Sequence, residues 1–245
     1  MKIASFALSD AGRVRRENQD SSGHFPERNV FVVADGMGGH KGGKQASEMA
    51  VATIEERLVA PPDGGVPFDR TDRLVEAVRD ANRRIVERGV RESELSRMGT
   101  TLVALLLEGN QAAIVHVGDS RAYRLRDGEL SQLTTDHTLV ADLLRANEIS
   151  EAEASTHPYR HVLTRALGAA DDVTADVRRL DVRQGDVYVL CSDGVSGMLS
   201  DSEIKAIVSA HRDDPEALCR ELIAAANQAG GKDNATALVV RCAAD

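Results

Sequence analysis

Four aspartates stand where apolar runs end or begin. Asp35 follows Phe31-Val32-Val33-Ala34, and Asp119 follows Ile114-Val115-His116-Val117-Gly118. Asp193 follows Val187-Tyr188-Val189-Leu190-Cys191-Ser192, and Asp233 comes just before Ala235-Thr236-Ala237-Leu238-Val239-Val240. Carboxylates gathered at the rim of a buried sheet repel one another when bare, and bound cations remove that cost. Hard ions such as Mg²⁺ and Mn²⁺ prefer oxygen donors. Each aspartate also has a glycine or small polar neighbour (Gly36, Gly118, Gly194, Asn234), which lets backbone and metal waters approach closely. Taken alone, any one of the four reads as a turn former or helix cap. Their recurrence at strand ends is what points to cations. The chain has no HExxH or His-x-Glu spacing, so zinc is less suited.

The elements that must carry these residues follow from hydrophobic periodicity. Segments 2–8 and 29–34 read as strands, the second apolar enough to be buried on both faces. Two helices follow, marked by Ala46, Met49, Ala50, Ile54 and Leu58, then by Leu74, Val75, Val78, Ala81, Ile85 and Val86. A loop, Ala60 to Gly65, separates them. Strands are expected at about 100–108, 111–118 and 120–126, with Asp127-Gly128 turning the chain into a further strand at 129–133. Residues 136–172 read as an inserted lobe with a short helix near 138–146. Strands return near 173–180 and 186–192. Ser200 and Glu203 form a capping box for one helix. Asp214-Pro215 opens another, Gly230-Gly231 ends it, and the last strand covers 235–242. Runs of like elements, without strict βαβ alternation, argue an α+β fold with helices packed outside antiparallel sheets.

Composition narrows the function. A net charge of −9 disfavours a nucleic-acid footprint, which needs a basic face. Three cysteines, Cys191, Cys219 and Cys242, without CxxC spacing read as reduced core thiols. The start of the chain lacks the apolar run of a signal peptide, and no window is long and apolar enough to span a membrane. A cytoplasmic protein is expected.

Six short motifs then converge. Val14-Arg15-Arg16-Glu17-Asn18-Gln19-Asp20, Val33-Ala34-Asp35-Gly36-Met37-Gly38-Gly39-His40 and Gly99-Thr100-Thr101 come first. Val117-Gly118-Asp119-Ser120-Arg121-Ala122, Cys191-Ser192-Asp193-Gly194 and Lys232-Asp233-Asn234-Ala235-Thr236 complete the set. In this order they resemble the bacterial branch of the protein phosphatase 2C family, the metal-dependent protein phosphatases, over essentially the whole chain. The resemblance implies one catalytic domain over 1–245, an α-β-β-α sandwich with 136–172 as a flap beside the cleft. It implies that Asp35 bridges two tightly bound Mn²⁺ or Mg²⁺ ions and that Gly36 offers its carbonyl to one. Asp193 and Asp233 would complete the other ion's protein ligands, Asp20 would act through bound water, and Asp119 with Asp193 would hold a weaker third ion. Arg15, set apart from Arg13 and Arg16 only by the family spacing to Asp20, would bind the phosphate as a planar charged fork. The expected reaction is hydrolysis of phosphoserine and phosphothreonine by direct attack of a metal-bridging hydroxide, with Arg15, Asp35 and Asp193 central to it. His40 is a candidate general acid for the leaving alkoxide, or else a loop residue with a metal-bound water in that role. Phosphoproteins and a cognate serine/threonine kinase are the implied partners.

Three other readings compete. Gly38-Gly39-His40-Lys41-Gly42-Gly43-Lys44-Gln45 nearly matches a phosphate-binding loop and would make the chain a nucleotide hydrolase, but Gln45 replaces the hydroxyl residue that holds Mg²⁺. Gly118-Asp119-Ser120-Arg121-Ala122 mimics a serine-hydrolase elbow but lacks its last glycine and leads into a strand. A non-catalytic module on the same fold would have lost Arg15 or a metal aspartate, and none is missing.

Overall fold

The computed structural model of the chain describes residues 2–38, 42–59 and 69–243. His40 and the 60–65 loop lie outside the described residues. Two antiparallel sheets stack face to face. The first orders β1 (Lys2–Asp10), β11 (Ala235–Ala243), β10 (Val187–Cys191), β7 (Arg121–Arg126) and β8 (Glu129–Gln132). The second orders β2 (Asp20–Phe25), β3 (Val30–Met37), β5 (Leu102–Glu108), β6 (Gln111–Val117) and β9 (Asp176–Asp181), with the short β4 (Gly99–Thr100) on the end of β3.

Side-chain alternation explains the layers. In β3, Val30 and Val32 pack against helices α1 (Gly42–Val59) and α2 (Arg70–Arg91) through Ile54, Leu74, Val78 and Ile85. Phe31 and Val33 face the other way and meet Tyr188, Leu190, Leu238 and Val240 of the first sheet. That sheet turns Val189, Ala237 and Val239 outward onto α6 (Asp201–His211) and α7 (Pro215–Gln228), where Val208, Leu218 and Leu222 cover them. A strand buried on both faces is the expected position for the unbroken apolar run of β3. The fold is the α-β-β-α sandwich expected.

Local signals acted largely as read. Ser200 and Glu203 make a reciprocal capping box, Asp214 caps α7 with Pro215 at its first position, and Asp127 and Gly128 both take positive φ. The lobe after β8 holds α3 (Leu139–Arg145) and α4 (Glu151–Thr156). One strand was missed: β2, whose sequence Asp-Ser-Ser-Gly-His-Phe has no alternating apolar pattern, is a strand because β3 supplies its ladder. Asp193 follows the end of β10, as read, and opens the four-residue helix α5 (Asp193–Ser196). Among the described residues, no helix is long and apolar enough to cross a membrane.

Candidate functional site

Antiparallel pairing brings the aspartates to one end of the sandwich. β3 runs toward that end and delivers Asp35; its neighbour β5 starts there, and β6, antiparallel to β5, finishes there just before Asp119. In the facing sheet β10 finishes just before Asp193, and β11 starts just after Asp233. The loops between these ends enclose a cleft of about 560 Å³ lined by Asp35, Gly36, Asp119, Asp193, Asp233 and Arg15. Six residues expected to act together thus share one cavity.

The local backbone is tightly specified. Asp35 N–H donates to Thr101 Oγ1 at 3.0 Å, while its carbonyl accepts from Thr101 N and Thr100 Oγ1, both at 2.9 Å. A side chain on Gly194 would sit 1.9 Å from the Asn234 carbonyl oxygen, so glycine is what lets the Asp193 and Asp233 segments touch. Asn234 then ties in a third segment: its Nδ2 donates to the carbonyls of Ala11 and Glu17, and its Oδ1 accepts from Gln19 N. That segment carries Arg15, whose Nη2 donates to Asp233 Oδ2 at 2.6 Å.

The electrostatics are those of crowded, desolvated carboxylates. Burial, followed by the charges of Asp20, Asp193 and Asp119, pushes Asp35 well above the usual carboxylate range. Asp35 lines the cleft and is only partly exposed. Burial raises Asp119 to about 7, with Asp193 and Asp136 adding to it, and raises Asp193 with help from Asp233. Asp35 and Asp193 lie close enough for their carboxyl groups to act on each other directly.

Asp20 lies behind the cleft wall, directly across from Asp35 on β2. It too is raised to about 7, chiefly by burial, although hydroxyl donors from Thr236 (2.6 Å) and Ser192 (2.7 Å) to its Oδ2 oppose that shift. Its Oδ1 is buried with no hydrogen-bond partner among the described residues. A buried orphan acceptor of this kind is what a bound water satisfies. Cations among these oxygens would remove the mutual repulsion, and an all-oxygen donor set suits Mg²⁺ or Mn²⁺. The residues present fit such ions.

Other placements differ from the sequence reading. His40 is outside the described residues. Among the described residues, the histidine that lines the cleft is His161, on the inserted lobe, its Nδ1 4.0 Å from Asp193 Oδ2. Leu163 of the same lobe and Thr101 also line it. No spacing rule marks His161, because only the fold-back of the lobe brings it there. The competing phosphate-loop reading loses its lysine: Lys44 Nζ donates to the Asp20 carbonyl at 2.9 Å and pairs with Glu48.

Comparison with known proteins adds four findings. A family model described as protein phosphatase 2C matches residues 13–235. The serine/threonine phosphatase stp of Listeria monocytogenes is 38% identical over 235 residues, covering 95% of this chain and 93% of that protein. The crystal structure of the Mycobacterium tuberculosis serine/threonine phosphatase PstP/Ppp superposes with a TM-score of 0.90 at 37% identity, covering 99% of each chain. A second structure, the catalytic domain of PstP in complex with two manganese ions, is also 37% identical, with a TM-score of 0.88 and 99% of each chain covered.

Proposed function

The chain belongs to the protein phosphatase 2C family and is a metal-dependent serine/threonine protein phosphatase; from that premise we propose that its chemistry takes place in the carboxylate cleft. The observation that carries this reading is the set of crowded carboxylates, Asp35, Asp119 and Asp193, each pushed above its ordinary range by burial and by like charge. Uncompensated, such a cluster is costly, and its residues make sense together as cation ligands.

In this reading Asp35, the Gly36 carbonyl, Asp193 and Asp233 hold two Mn²⁺ or Mg²⁺ ions, Asp20 acts through water, and Asp119 with Asp193 holds a weaker third. Bound, the ions supply a nucleophilic oxygen at neutral pH and neutralise charge on the phosphoryl group. The chain's own groups do the rest. Arg15, kept at the rim by Asp233 and by the Asn234 brace, offers a planar fork that orients phosphate oxygens. The lobe over 136–172 walls the cleft with His161 and Leu163, where the peptide around the phosphoresidue would lie. His161 is the imidazole at hand for hydrogen bonding to that substrate. We read 1–245 as one catalytic domain acting on cytoplasmic phosphoproteins, opposite a serine/threonine kinase that makes the same esters.

The test is hydrolysis of a phosphothreonine peptide and of p-nitrophenyl phosphate with Mn²⁺, with and without chelator, beside an ATPase assay. Mn²⁺-dependent, chelator-sensitive release from both esters, with no ATP turnover, is expected. Hydrolysis that persists in chelator would overturn the reading.

A further inference from the structure

Between the end of β6 at Val117 and the start of β7 at Arg121, three residues carry Asp119 into the cleft. The first of them, Gly118, has φ +103°, and a side chain there would lie 2.6 Å from Thr101 Cγ2. Both of its backbone polar groups go to a single residue. Gly118 N–H donates to His137 Nδ1 at 3.0 Å, and the Gly118 carbonyl accepts from His137 N at 3.0 Å.

This pairing dictates the ring's protonation. A backbone amide only donates, so Nδ1 must bring a lone pair, and a neutral ring then carries its hydrogen on Nε2. His137 is buried, and burial lowers it to about 4, so the ring is neutral at working pH. Nε2 faces Asp176 Oδ2 at 3.3 Å, off the direct line of a good hydrogen bond, while Arg165 Nη1 holds Asp176 Oδ1 at 2.7 Å. His116 stacks on the ring at 4.7 Å, and its own Nε2 lies 2.9 Å from the Thr135 carbonyl. His116, His137 and Asp176 bring ligand-type atoms within 4.8 Å of one another. The tautomer nevertheless leaves no lone pair on Nε2, so the trio does not serve as a cation site.

His137 also closes the base of the flap. Its carbonyl accepts from Thr164 N at 2.9 Å, the next residue, Thr138, bridges Leu163, and Leu139 N donates to the Val162 carbonyl. One residue therefore joins the flap segment that brings His161 and Leu163 to the cleft with the loop that brings Asp119. We propose that His137 is a positioning residue that holds Asp119 at the cleft and ties it to the flap wall. The proposal rests on the reading above of Asp119 as a ligand of the weaker third cation.

Three variants test it: His137→Ala, His137→Asn and Asp119→Ala. The asparagine Oδ1 takes the place of Nδ1 and accepts from Gly118 N–H; alanine cannot. Mn²⁺ calorimetry, melting temperature and kcat on a phosphothreonine peptide are read on each. His137→Ala should leave the two tight sites filled while weakening the third and lowering phosphopeptide kcat about 2- to 10-fold, the range for one lost hydrogen bond. His137→Asn should restore both to within about twofold. A lowered melting temperature with unchanged third-site affinity and kcat in His137→Ala would overturn the proposal, as would an asparagine variant as impaired as the alanine one.

If His137→Ala does not fold, the asparagine variant and the tautomer decide. Long-range ¹H–¹⁵N correlation of the unaltered protein should show His137 as Nε2–H, and an Nδ1–H ring would overturn the assignment. Asp119→Ala separates the two readings. Should it retain all three cations, the third-cation reading falls, and the His137 link to Gly118 stands or falls on the tautomer.

Discussion

Asp193 and Asp233 come from segments pressed together at Gly194 and Asn234, and each faces the same crowded set of carboxylates. On the proposed reading, removing either takes a charged oxygen donor from the same ions. Asp193→Ala and Asp233→Ala should each abolish hydrolysis and weaken Mn²⁺ binding, and calorimetry showing unchanged stoichiometry and affinity in both would remove them from the site. Arg15 differs, because its partner in the structure is a carboxylate rather than a backbone group it supports. Losing a charge-assisted phosphate contact costs about 1.5–3 kcal/mol, so Arg15→Ala should lower kcat/KM roughly 10- to 150-fold while Mn²⁺ still binds. A larger loss from Arg13→Ala or Arg16→Ala would shift the phosphate contact to a neighbour. Asp119→Ala should spare the tight pair and the fold while turnover collapses. A lowered melting temperature with full activity would mark Asp119 as a turn residue instead.

At the level of elements, stability and site geometry separate in one place and are joined in another. The Ser200–Glu203 box caps α6, which covers the outer face of the first sheet away from the cleft. Ser200→Ala should cost about 0.5–2 kcal/mol of stability, read as a fall in denaturation midpoint, with kcat unchanged. Gly194 sits where α5 and the start of β11 meet backbone to backbone. Here Gly194→Ala has no flexible side chain to displace, so it should cost about 1–3 kcal/mol and weaken Mn²⁺ binding in the same protein, because it moves Asp193 away from Asp233. Stability loss without any change in metal affinity would show that the contact matters to packing alone.

Over the whole molecule, protons and cations compete for the same oxygens. Asp20 and Asp119 are raised to about 7 and Asp35 is raised well above the usual carboxylate range, so between about 4 and 7 the folded protein holds protons that the unfolded chain, with ordinary carboxylates, has released. For these groups the slope of stability with pH is negative between about 4 and 7: the metal-free fold loses their contribution as pH rises through the folded values. The buried histidines act in the opposite sense, since His137 and His116 are lowered and cost stability as pH falls below about 6.5. The melting curve of chelated protein therefore mixes both effects. The increment produced by Mn²⁺ isolates the carboxylates. It should grow steadily from pH 5.5 to pH 8, with protons released on binding at the acid end. Scanning calorimetry with and without Mn²⁺ measures it, and an increment independent of pH would dissociate the ions from these aspartates.

Much of this was legible in the chain itself because it depends on local chemistry. Apolar runs ending in Asp35, Asp119 and Asp193 announced buried strands with polar ends. Capping and turn residues at Ser200, Pro215 and Asp127-Gly128 placed the breaks, and their preferences come from a few neighbouring dihedrals. The ordered motifs named the family before any coordinate did. Tertiary structure alone decided the rest. β2 is a strand only because β3 offers it a ladder, and Asp20 faces Asp35 only through that register. His161 reaches the cleft because the lobe folds back, and His137 meets Gly118 at a sequence separation of nineteen. Such contacts depend on which backbone groups remain to be satisfied once the sheets are packed, and a hydrogen bond between residues far apart in sequence leaves no periodicity to read.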